Sequence, residues 1–140
     1  MEYRSVKGGF LLRLHRNEKV TETILNFIKE KEIAGGVING IGAIEKVTLG
    51  YYNPKEKKYH RGEFSGIYEV VSFMGNISYV KEEPLIHAHI VLGDSEFQSH
   101  AGHFFEATVA ATLEIFIRSF EAKLQREMDD SLGLNLLKLG

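Results

Sequence analysis

Pro84-Leu-Ile-His-Ala-His-Ile-Val-Leu92 is the stretch on which the reading of this chain turns. Pro84 opens it and Gly93-Asp94-Ser95 closes it, and apolar and β-branched residues between them mark a strand. Successive side chains of a strand point to opposite faces. His87, His89 and Val91 therefore share one face, and Ile86, Ala88, Ile90 and Leu92 share the other. The second face is wholly apolar and belongs against a core or a helical layer. The first presents two imidazoles whose side chains start about 6.5–7 Å apart, from two rises of about 3.3 Å. Inclined toward each other, they can meet at one metal with bonds of about 2.0–2.1 Å. His103, in Ala101-Gly-His-Phe104, supplies a third imidazole, and a His₃ set leaves a fourth position open. Gly102 favours this reading by allowing close backbone approach. His100 and Asp94 are further donors in range. A His-x-His pair alone is often just two half-exposed, hydrogen-bonding histidines, and the pattern is none of the short named metal motifs.

Outward from this strand the chain reads as many strands and one clear helix. Phe10–Leu14 is a short buried strand after Gly8-Gly9. Asn17 is placed to cap a helix, and Val20, Ile24, Phe27 and Ile28 recur at helical spacing on its packing face. Gly35-Gly36 is expected to stop it. Gly40-x-Gly42 lacks the third glycine and the lysine of a nucleotide loop, and reads as a bulge in a strand. Val47–Tyr52 and Tyr59–Phe64 pair across a turn at Asn53-Pro54. Ile67–Met74 and Ile77–Val80 follow, with a tight turn expected at Gly75-Asn76. After the histidine strand come a return segment from Phe97, a long strand Thr108–Ile117, a charged segment Phe120–Met128 read as a short helix or a strand-edge excursion, and a last apolar element at 132–137. This order predicts an α+β fold, a mostly antiparallel sheet with flanking helices, in a single domain over residues 1–140.

Composition bounds the chemistry. With 44% hydrophobic and 26% charged residues the chain has the makeup of a soluble globular domain. It has no cysteine, so disulfides and thiolate metal sites are excluded and any metal is held by nitrogen and oxygen. The charged N-terminus is no signal peptide, and no apolar run is long enough to span a membrane, so a cytoplasmic location is expected. A net charge of −2 argues against nucleic-acid binding through overall charge. Residues 1–70 carry 12 Lys/Arg against 9 Asp/Glu, residues 71–140 carry 5 against 10, a modest asymmetry. Lys55, Lys57, Lys58 and Arg61 form the densest basic run, either a solvated hairpin loop or a phosphate-contacting one.

Together these residues resemble the PPC domain, the plant and prokaryote conserved domain that accompanies AT-hooks in plant nuclear proteins. The resemblance runs from Arg13 to Leu137. It rests on Gly40-Ile-Gly-Ala-Ile44, Leu49-Gly-Tyr-Tyr52, Gly66-Ile-Tyr-Glu-Val-Val-Ser72, Gly75-Asn-Ile-Ser78, the histidine strand, Gly102-His-Phe104, Thr112-Leu-Glu-Ile115, and Arg126 ahead of Gly133-Leu-Asn-Leu-Leu137. It implies a homotrimer in which His87, His89 and His103 match a three-histidine cluster able to hold a metal such as zinc. The family usually shows Gly-Gly-His-Leu where this chain has Ala101-Gly-His-Phe104, larger residues expected to narrow the site while the ligand itself remains. The chain also lacks the Arg-Gly-Arg-Pro core of an AT-hook, the arm that enters the A·T minor groove. DNA association would then fall to the folded surface, with the Lys55–Arg61 loop repeated around a trimer.

Two functions follow as expectations. The first is an oligomeric, DNA-associated binding module with a three-histidine metal site. The second is a zinc-dependent hydrolase or lyase, in which an open His₃ zinc lowers the pKa of bound water to about 7. Glu69, Asp94 and Glu114 are its candidate proton-transfer groups. Each has a plainer role open to it: surface carboxylates for Glu69 and Glu114, a turn residue for Asp94. Arg13 is a candidate anion contact or a surface ion pair.

Overall fold

The computed structural model describes residues 1–140. Its elements, in chain order, are β1 (Glu2–Val6), β2 (Gly9–His15), α1 (Val20–Glu30), β3 (Gly35–Asn53), β4 (Lys58–Val80), β5 (Glu83–Gly93), β6 (Ser99–Phe120), β7 (Arg126–Asp129) and β8 (Leu134–Leu137). Six strands form one sheet in the order β1-β2-β6-β3-β4-β5, every pairing antiparallel. The N-terminal part of β6 also pairs with β5, so the long strands β3, β4, β5 and β6 close on one another at one end. The strands β7 and β8 make a separate hairpin.

The helix packs its buried face, Val20, Ile24, Phe27 and Ile28, against the inner side of the sheet. Each such side chain contributes about 1.5–3 kcal/mol relative to an exposed position. From the sheet, Leu12, Leu14, Ile38, Phe73, Ile77, Ala88, Ile90, Leu92, Leu113 and Ile115 complete the core. The apolar face expected of the histidine strand therefore lies inward.

Several local expectations are corrected. One helix is present rather than flanking helices, because the charged segment after Phe120 runs into the β7–β8 hairpin. Asn17 does not cap the helix: it sits in the left-handed region at φ 72°, and its N–H donates to Val109 O at 2.9 Å. Lys19 occupies the cap position without a side-chain bond. Gly35-Gly36 opens β3 instead of closing α1, and a Cβ on Gly36 would stand 2.4 Å from Arg118 O. Gly75-Asn76 is no turn but lies within β4, where a Cβ on Gly75 would meet His87 O at 2.4 Å. Glycine there answers to the neighbouring strand, not to a bend. The Gly40-x-Gly42 irregularity is a register shift between β3 and β4, as a bulge requires.

Candidate metal centre

The register of β5 and β6 assembles the site. His89 lies directly opposite His103, and His87 lies opposite Asn76 of β4. All three imidazoles project from the outer face of the sheet, with ring centroids 5.2–5.5 Å apart. One ring nitrogen of each falls within 4.8 Å of the other two. A tetrahedral ion with bonds of about 2.0–2.1 Å spans about 3.4 Å between donors. To share one ion the rings would have to turn toward one another.

The burial of the rings differs. His89 is exposed, while His87 and His103 are partly covered. His103 Nδ1 is buried and has no hydrogen-bond partner. Leaving such an atom unsatisfied costs about 1–3 kcal/mol, and a metal ion is a partner that fits a lone imidazole nitrogen. Burial pushes the His103 pKa down to about 4, with help from His87, His89, Arg126 and Arg61. Burial also lowers the His87 pKa, followed by Arg126 and His89. Both effects favour the neutral rings that metal binding needs.

Aromatic rings wall the cluster. Tyr59 stacks 4.7 Å from the His103 ring and Phe105 stands 4.8 Å from it. Gly50 lies opposite His103 in the ladder, and a Cβ there would come within 2.5 Å of Phe105 and 2.9 Å of Tyr59. Only a residue without a side chain lets both rings close on the histidine. Arg61, at the end of the basic run, stacks on Phe105 at 4.0 Å, which brings it to the rim of this centre as well.

Arg126, on β7, reaches the cluster from above. It is 8% exposed and donates Nε–H to Ser78 Oγ at 2.7 Å, Nη1–H to Asn135 O at 2.8 Å and Nη2–H to Asn76 Oδ1 at 3.0 Å. Nη2 also lies 3.2 Å from His87 Nδ1. Beside His87, His103 and Arg126 a cavity of about 210 Å³ opens beneath Leu134 and Leu136 of the hairpin. Arg126 entered the sequence reading only through the resemblance. No local pattern announces it, since its role depends on a hairpin folding back over strands some 40–50 positions earlier in the chain.

The remaining candidate residues lie elsewhere. Asp94 follows β5 and organises a turn: its Oδ1 accepts N–H groups of Glu96 and Gln98, and its Oδ2 meets His100 Nε2 at 2.9 Å. Glu69 is exposed on β4 opposite Gly93, and Glu114 is exposed on β6 opposite Arg13. None of the three carboxylates is among the charges felt by His87 or His103. Arg13 forms an exposed ion pair with Glu2 at 2.8 Å. In the basic loop, Lys57 Nζ donates to Asp130 O and Lys58 pairs with Glu56 at 3.1 Å, while the Lys55 N–H closes a turn on Asn53 Oδ1.

On the outer face a cross-strand row leads to the histidines. Leu11 lies opposite Phe116, Phe116 opposite Asn39, Asn39 opposite Met74, and Met74 opposite His89. Val37 and Ile41 flank Asn39 on the same face. The apolar members are 37–65% exposed, a contiguous patch of the kind that marks an association surface. No helix is long and apolar enough to cross a membrane.

Solved structures share this architecture over nearly the whole chain. A "putative DNA-binding protein" of Bacteroides thetaiotaomicron is 31% identical, with a TM-score of 0.95 and coverage of 98% of this chain and 96% of its own. A metal-containing protein of Archaeoglobus fulgidus is 32% identical at a TM-score of 0.87, covering 99% of this chain and 97% of its own. A plant- and prokaryote-conserved (PPC) protein of Pyrococcus horikoshii is also 32% identical at 0.87, covering 99% and 94%. A search of curated protein sequences gives no match. The family profile described as the Plants and Prokaryotes Conserved (PCC) domain matches residues 1–121, and the chain belongs to that family.

Proposed function

We propose that this chain is an oligomeric binding module that holds one divalent metal ion, zinc in the first instance, on His87, His89 and His103. The observation that carries the reading is the meeting of three ring nitrogens within 4.8 Å, one ring holding a buried nitrogen without a partner. The absence of cysteine and of carboxylates from the cluster leaves an all-imidazole donor set, which suits zinc and neighbouring transition ions over calcium or magnesium. The metal-containing Archaeoglobus protein supports the same reading. When bound, the ion supplies a positive charge and a Lewis-acid centre at the sheet surface.

The apolar row from Leu11 to Met74 supports self-association, and the homotrimer implied by the family resemblance is the assembly we assign to it. Because the row ends at His89, the association surface adjoins the metal centre. DNA association rests on the Bacteroides neighbour and on Lys55, Lys57, Lys58 and Arg61, repeated around the assembly. A second reading, a metal-dependent enzyme acting on a small molecule, is favoured by the cavity beside His87 and His103.

Metal analysis of untagged protein is the decisive experiment. About one zinc-class ion per chain, lost in His89→Ala while the fold is kept, is the expected result. Protein that takes up no ion on zinc reconstitution would end the reading. Light scattering should give about 47 kDa, three chains of 15.8 kDa. Retention on DNA that falls with added salt is expected of the assembled protein, and no retention at low salt would remove DNA from the assignment.

A further inference from the structure

The contact between Arg126 and His87 runs against what a metal-binding histidine normally makes. A guanidinium only donates, so His87 Nδ1, 3.2 Å from Arg126 Nη2, must offer its lone pair. A neutral imidazole has one lone-pair nitrogen and carries its proton on the other. Were His87 to bind a metal through Nδ1, Arg126 already occupies that lone pair. Were it to bind through Nε2, that nitrogen carries the proton. In either case His87 has nothing to give the metal while Arg126 stays in place. Metal-ligating histidines donate their second nitrogen to a carboxylate, a carbonyl or water; here the partner has the opposite polarity.

Arg126 has a deficit of its own. Ser78, Asn135, Asn76 and His87 are all neutral partners, and no carboxylate pairs with this guanidinium although it is more than nine-tenths buried. Nη1 makes a single hydrogen bond, to Asn135 O, which leaves one N–H without a partner. The guanidinium also lines the cavity that His87 and His103 share. Buried charges are ordinarily paired, and Arg presents the fork that matches an oxyanion on two parallel bonds.

We propose that this cavity takes a small oxyanion on Arg126, a carboxylate on a short aliphatic stem, and that the anion and the metal ion bind cooperatively because the anion draws Arg126 off the His87 lone pair. The proposal rests on the three-histidine metal reading. Leu85, Ile86, Leu134 and Leu136 supply the apolar walls for the stem. Without the anion, Arg126 and the metal compete for His87. With it, the guanidinium has a charged partner and the imidazole is released. The coupling is reciprocal: the factor by which anion tightens metal is the factor by which metal tightens anion.

Cobalt(II) titration of the full chain, followed by its visible absorption, tests this with and without saturating propionate or sulfate. Propionate is expected to tighten cobalt binding by about fivefold or more. In Arg126→Gln, cobalt should bind more tightly than in the unaltered protein without propionate, and propionate should no longer change it. An effect of sulfate as well as propionate supports the oxyanion site and widens its ligand class, whereas a response to sulfate alone overturns the carboxylate assignment. Since Arg126 also anchors the hairpin, imidazole ¹⁵N shifts of the unaltered metal-free protein give a second readout, with the His87 proton expected on Nε2. A proton on Nδ1 overturns the proposal. So does cobalt binding that ignores both anions, or a propionate effect that survives in Arg126→Gln; in these cases the metal reading stands. No cobalt spectrum in any sample overturns both.

Discussion

Acidifying the metal-free protein should destabilise it through His103. Its ring is held neutral by burial and by the cationic groups around it, with a pKa of about 4 in the folded chain, against about 6.5 in an unfolded one. Between these values the unfolded chain binds the proton more readily, so stability rises with pH across this window. The full contribution is present above about pH 6.5 and is lost as pH falls toward 4, below which no further loss comes from this group. Taking 6.5 and about 4 as the two pKa values, the loss between pH 7.5 and pH 5 is about 2 kcal/mol. Partial solvent access makes this an upper bound. Urea unfolding in the presence of chelator measures it directly. With a slope of about 1–3 kcal/mol/M, the midpoint should drop by about 1 M. His103→Asn should flatten most of that dependence, leaving the smaller part due to His87. An unchanged pH profile in the variant would refute the assignment of this proton to His103. Zinc should oppose the loss until protons displace it from the rings.

The close packing of β4 on β5 gives a second expectation. Gly75→Ala puts a methyl 2.4 Å from His87 O and 2.8 Å from Ala88 Cα. Overpacking of this kind costs about 1–3 kcal/mol, and the displaced strand carries His87 and His89, so both melting temperature and zinc affinity should fall. A variant with unaltered zinc affinity would show that the histidines are positioned independently of β4. Met74→Lys places a charge in the exposed apolar row, at a position 65% exposed in the single chain. It should convert the assembly to single chains by light scattering while leaving the circular dichroism spectrum intact; an undisturbed mass would move the interface elsewhere.

How much of this was legible in the sequence follows from the range of the forces involved. Strand alternation is a local rule, so the two faces of Leu85–Leu92, the helical stripe from Val20 to Ile28 and the pairing of Val47–Tyr52 with Tyr59–Phe64 were readable. The shared face of His87 and His89 belongs to the same class. Glycines were misread where their reason was not local. Gly75 and Gly35-Gly36 look like punctuation in one dimension, yet they face the backbone or side chains of segments distant in the chain. The absence of cysteine, likewise read from sequence, limited any metal to nitrogen and oxygen donors.

Tertiary structure alone decided the rest. Only the register of β5 against β6 sets His89 opposite His103, and a slip of one residue would have turned that ring into the core. Only the fold of the C-terminal hairpin carries Arg126 to His87, across 39 positions of chain, because a lone arginine in a polar segment has no periodicity to read. The same holds for Glu69, Asp94 and Glu114, whose chemistry suited a site that their strand positions do not reach. Sequence named the donor atoms; pairing between distant strands determined which of them share a space.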